Sequence, residues 1–161
     1  MNTTVITSSS GGDIGIWRTD CSGDLSAYTG VADLYCVAIP NSTGVAAVTG
    51  AVGSYLVSDN NVTLQASNLP PNEFGFFLVS PTTDFNPVGA GILCLGSPQG
   101  RYNQTILNSG ATGTFSLAID LTILPLNPPT PVMSGDTYNF QAWSRDGGTS
   151  NFSQPIGITF L

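Results

Sequence analysis

A chain of 161 residues has room for one domain with a single core, and its ten acids against three arginines give a net charge of −7 that repels phosphate backbones. Nucleic acid and anionic membranes are therefore disfavoured partners. With no histidine, neither a Ser-His-Asp triad nor a Cys-His pair can be built, and the usual general base near neutral pH is missing.

The rest of the composition points to strands. Nineteen Gly and eleven Pro, no Lys and a single Glu leave few strong helix formers, while Ser, Thr and Asn abound. Only 8% of residues are charged, against about one quarter in an ordinary soluble domain. The surface must then be covered by hydroxyl, amide and small apolar groups, as in an extracellular protein or one packed against neighbours. No run approaches the ~18 apolar residues of a membrane span, and an export leader is expected to lie outside the sequence.

Residues 1–12 combine β-branched residues with a Ser/Gly tract and are expected to form an N-terminal arm or edge strand; residues 13–161 are expected to form the domain. Such an arm is either a frayed end or a strand donated to a neighbouring subunit. Asp20-x-Ser22-x-Asp24 resembles the start of a calcium loop, although the glycine and glutamate that complete such loops are absent. Calcium on Asp20, Ser22 and Asp24 is thus weighed against a solvated acidic loop, and no other cofactor is expected.

Small-residue strands are expected after Gly44, with bulges or bends at Gly50 and Gly53. Val62, Leu64 and Ala66 alternate with Thr63 and Gln65, as in a half-buried strand. Phe74 to Ser80 reads as a central strand buried on both faces, a Pro- and Gly-rich loop runs on to Gly91, and Ile92 to Leu95 is a short strand. Phe115, Leu117, Ile119 and Leu121 face inward from the clearest alternation in the chain.

After a proline-rich link, Gly135-Asp136 turns into a strand with Tyr138, Phe140, Ala142 and Ser144 on one face and Asn139, Gln141, Trp143 and Arg145 on the other. Ile156, Ile158 and Phe160 mark the last strand. About nine short strands without a helical period define an all-β chain, expected to be an antiparallel β-sandwich of the immunoglobulin-like kind with a jelly roll as the alternative. Tyr138 is expected at a corner, bonded back to the preceding loop.

Cys21, Cys36 and Cys94 suit an oxidising compartment, because no histidine and no C-x-x-C pair supplies metal ligands. Their pairing stays open on spacing alone, with Cys21 either free, bonded between chains, or competing for Cys36. Five N-x-S/T sequons, at Asn2, Asn41, Asn61, Asn103 and Asn151, matter only in a eukaryotic source.

The series Tyr35-Cys36 with Asn41-Ser-Thr-Gly44, Phe74-Gly-Phe-Phe77, Leu93-Cys-Leu-Gly96, Asn108-Ser-Gly-Ala-Thr-Gly113 and Asn139-Phe-Gln-Ala-Trp143 with Arg145-Asp146 is similar to a module of large secreted and surface proteins of environmental bacteria. The likeness covers residues 35–161 and departs from the module's pattern at Ser97, Tyr138 and Ser144. It implies an exported, non-catalytic domain with Cys36 and Cys94 bonded, and it names no ligand.

The candidate sites follow. Arg101 and Arg145 are expected in structural ion pairs with Asp120, Asp136 or Asp146. Trp143 with Tyr102 or Trp17 would form a stacking platform for a sugar ring, with Asn139 and Gln141 as hydrogen-bonding neighbours; the competing reading packs Trp143 under a loop or in the second layer. Nothing in the spacing singles out a pair of catalytic carboxylates or a phosphate loop, so an enzyme is not expected. The expected function is a non-catalytic module for cell-surface attachment or display. Its partners would be copies of itself or extracellular proteins. The alternatives are a self-assembling fibre or layer subunit and a carbohydrate-binding module.

Overall fold

The computed structural model describes residues 36–161, and before them the backbone of three short strands. Trp17, Asp20, Cys21 and Ser22, the side chain of Asp24 and all of the 1–12 arm but its strand lie outside the described residues. The strands run in chain order β1 (Ile6–Ser8), β2 (Ile14–Ile16), β3 (Asp24–Leu25), β4 (Val48–Ser54), β5 (Val62–Ser67), β6 (Phe74–Ser80) and β7 (Thr83–Val88). There follow β8 (Gly91–Leu95), β9 (Gly100–Arg101), β10 (Leu107–Asn108), β11 (Phe115–Ile119), β12 (Thr137–Asp146), β13 (Thr149–Phe152) and β14 (Ile156–Thr159). The fold is all-β, and every strand ladder is antiparallel.

Two sheets share one core. The first has the order β11-β5-β4-β3; the second has β10-β6-β12-β13, with β14 also on β12 and β9 on β6. Val62, Leu64 and Ala66 of β5 and Phe115 and Ile119 of β11 meet Phe77 and Val79 of β6 and Tyr138, Phe140 and Ala142 of β12 in a single buried cluster. The period-2 alternation of each strand is what sends these residues to one side. Phe77 and Phe115 meet edge to face, with ring centroids 5.2 Å apart.

The two long edges of this double layer are closed differently. On the side of β4, the chain beyond β13 and β14 bonds across to the other sheet: Thr49 N–H to Gln154 O, Gln154 N–H to Ala47 O, Val57 N–H to Leu161 O and Leu161 N–H to Tyr55 O, at 2.7 to 3.0 Å. On the side of β11, Thr114 N–H reaches Ser109 O at one end, and Val132 N–H reaches Leu121 O at the other. Among the described residues no backbone bond crosses between the sheets from Phe115 to Ile119.

Three expectations change. Gly50 and Gly53 are not bulges, since the β4–β5 register runs unbroken through Gly50↔Gln65 and Gly53↔Val62. Gly53 instead has φ +114° and lies so close to the carbonyl of Asn61 that a Cβ would collide with it. Thr83 to Val88, expected to be loop, is a strand whose residues are all exposed; it pairs only with β8, and its pattern carries no buried face to read. Tyr138 is in the core cluster, but among the described residues its hydroxyl makes no bond to the preceding loop, where Asp136 accepts from Met133 N–H at 2.8 Å.

Candidate functional site

The outer face of the six-stranded sheet carries the residues that the sequence marks as functional. Leu78 and Phe152 are buried there together with Leu95 of the β7–β8 hairpin, and Phe76, Leu93 and Trp143 are half-buried around them. The hairpin crosses this face on its edge. Its turn is held by Ala90 N–H on Ser150 O at 2.8 Å, its far end by the Ser80 hydroxyl donating to Gly96 O at 2.8 Å, and its middle by Gln141.

Gln141 is fully buried. Its Oε1 accepts from Cys94 N–H at 2.9 Å, while Nε2 donates to Ile92 O at 3.0 Å and Ser153 O at 2.8 Å. A side-chain amide thereby takes the place that a neighbouring strand would take against β8, whose N–H and C=O would otherwise be buried unpaired. Cys94 carries the bond to Cys36, Cα to Cα 6.0 Å. Gln154 adds to the same fastening, receiving Ala38 N–H at 3.1 Å and donating to Cys36 O.

Of the expected sugar platform, Trp143 and Tyr102 are not brought together, and Trp17 lies outside the described residues. Tyr102 packs against the inner core and Trp143 on the outer face, so the sheet separates them. Gln141 and Asn139 are buried and engaged with the backbone, Asn139 with Ser80 O at 3.4 Å. Trp143 leans on Phe76 across the β6–β12 pair, centroids 4.7 Å apart and planes 31° from parallel. One face of the indole is thus already covered, as the second-layer reading of this residue has it. Phe76 and the 54%-exposed Phe74 continue the apolar strip. The strand expected to be buried on both faces is so from Phe77 to Ser80, and it opens only at Phe74 and Phe76, where Gly75 leaves the inner side free for the ring of Phe115.

The expected ion pairs are replaced by amide and backbone donors. Asp146 is buried and accepts from Ser42 N–H at 3.1 Å and from Asn151 Nδ2 at 3.1 Å. Asp120 accepts from Asn60 Nδ2 at 3.0 Å and from the backbone and hydroxyl of Thr122 at 2.9 and 2.7 Å. Arg101 and Arg145 are exposed and take part in neither network. The reason is register: Arg145 points outward beside Trp143, and Asp146 points to the opposite side, toward Ser42.

These surroundings set the acidities. Burial pushes the Asp146 carboxyl up, and the hydrogen bonds from Ser42 and Asn151 outweigh it and hold the group below the usual carboxylate value. Hydrogen bonds from Thr122 and then Asn60 lower Asp120. Burial, and after it the charge of Asp120, pushes the Tyr102 phenol well above its ordinary value. Its hydroxyl is buried without a partner among the described residues.

Among the described residues no cluster of three or more acidic or sulfur side chains is placed to hold a metal ion. No protein family, curated protein or solved structure matches the chain.

Proposed function

We propose that the chain is a non-catalytic extracellular module, an immunoglobulin-like β-sandwich serving cell-surface attachment or display. The observation that carries the reading is the fastening of the β7–β8 hairpin by a disulfide and by Gln141: a covalent clamp on an outer face suits an oxidising compartment. The strand order supports the topology. With the β1–β2 pair, the hairpin and the two-residue strands set aside, the first, second and fourth remaining strands (β4, β5, β11) share one sheet and the third, fifth, sixth and seventh (β6, β12, β13, β14) the other. In an immunoglobulin fold, strands A, B and E likewise lie opposite C, F and G. The resemblance of the motif series to modules of secreted bacterial proteins implies the same compartment.

The partners of such a module are extracellular proteins or further copies of itself. Two measurements test the reading. Fractionated source cells probed with an antibody to the chain should show it at the surface or in the medium; recovery from the cytoplasm alone would refute the proposal. Intact-mass analysis after alkylation without reductant should leave Cys36 and Cys94 unmodified, and three modified cysteines would refute it as well.

A further inference from the structure

Among the described residues from 36 on, the strand edges are blunted in several ways, and β11 is left unguarded. β7 carries Asp84, Pro87 and a register shift between Thr83 and Asn86. β9 and β10 have two residues each, and β13 and β14 are divided by Pro155. Charge, proline, irregularity and shortness are the ordinary ways of keeping an edge from pairing with another chain. β11 has none of them: five residues, Phe-Ser-Leu-Ala-Ile, in unbroken register with β5 from Phe115↔Ala66 to Ile119↔Val62.

The inner cluster comes close to the surface beneath this edge. Tyr102, Leu107 and Leu117 are half-buried members of the inner cluster, and they line the side on which no backbone bond joins the sheets between Phe115 and Ile119. Among the described residues β11 pairs with β5 alone; β1 pairs with β2 and β3 with β4.

We propose that β11 is a docking edge for β11 of a second copy, the two strands pairing antiparallel about a two-fold axis at Leu117. Only this register uses all five residues of both strands. It places Leu117 beside Leu117, Phe115 beside Ile119 and Ser116 beside Ala118, and it sets Asp120 opposite Thr114, so no like charges meet. Apolar side chains stay on the core side and the two four-stranded sheets become one. An edge this short belongs to the transient interface class, under about 1,200 Å², so a dissociation constant between roughly 10 μM and 1 mM is expected. The proposal goes beyond the extracellular reading and does not depend on it: localisation leaves the pairing untouched, and a monomer leaves the localisation untouched.

Sedimentation equilibrium of the full chain from about 10 μM to about 2 mM should show a monomer–dimer equilibrium. Ser116 and Ala118 are exposed, so S116K/A118K should unfold within about 2 °C of the parent. It should dimerise at least about tenfold more weakly, because each lysine then faces a lysine. S116E/A118E should do the same, and a mixture of the two variants should form a heterodimer. If both variants fold poorly, amide exchange in the parent decides: Phe115–Ile119 should gain protection as concentration rises. A monomer throughout the range, unimpaired dimers of S116K/A118K, no heterodimer on mixing, or concentration-independent exchange would each overturn the proposal.

Discussion

The side chain of Gln141 accepts the backbone N–H of Cys94 at 2.9 Å, forty-seven residues away in the chain, and so ties the middle of the β7–β8 hairpin to the sheet beneath it. Q141L keeps the volume and removes the amide, leaving Cys94 N–H, Ile92 O and Ser153 O short of a partner. Urea unfolding should show a loss of about 3 kcal/mol, and limited proteolysis should cut first between residues 83 and 93. A variant with parental stability and an uncut hairpin would show that the disulfide alone suffices.

Trp143 is expected to reveal itself in stability. Its indole packs on Phe76 and against the cluster of Leu78, Leu95 and Phe152, so W143A should cost about 2 kcal/mol, below the roughly 3–5 typical of a fully buried ring. Glycan-array binding that vanishes in W143A while its thermal midpoint holds would restore the platform reading.

Asp146 makes the fold acid-sensitive. Its folded-state acidity constant is depressed, so its contribution is present above the unfolded value, ~4, and is lost as pH falls through the folded value below that. D146N should lose about 2 kcal/mol at pH 7 by denaturant titration, since Ser42 N–H loses its charged acceptor. The gap to the parent should narrow from pH 4 downward; an unchanged gap there would remove Asp146 from the acid response.

Tyr102 should behave in the opposite sense. Y102F removes a buried hydroxyl without a partner and should raise stability by about 1 kcal/mol in thermal unfolding. Because the phenol is raised in the fold, the parent loses stability as pH climbs above the unfolded value, ~10, and Y102F should not share that loss. A destabilised Y102F would show that the hydroxyl has a partner in solution.

Strand identity was legible where one face of a strand meets the core and the other meets water. Phe115, Leu117 and Ile119 against Ser116 and Ala118 show it, as do Val62, Leu64 and Ala66 against Thr63 and Gln65. β7 was not legible, because a strand exposed on every side chain is held by backbone bonds to β8 alone and leaves no alternation. The outer-face site was half legible. Alternation assigned Asn139, Gln141, Trp143 and Arg145 to one side of β12, but whether that side meets solvent depends on a hairpin drawn from residues 83 to 95.

By itself the sequence determined the all-β class, the inward faces of β5, β11 and β12 and the lack of histidine chemistry, because residue type and period-2 spacing act over a few neighbouring residues. Only the tertiary structure decided that Gln141 is a clasp beside the Cys36–Cys94 bond, that Asp146 answers Ser42 and Asn151 in place of an arginine, and that among the described residues β11 pairs with β5 alone. Each of these depends on bringing together segments tens of residues apart. Such contacts are set by how the two sheets stack and where the hairpin lands, and no local pattern encodes either.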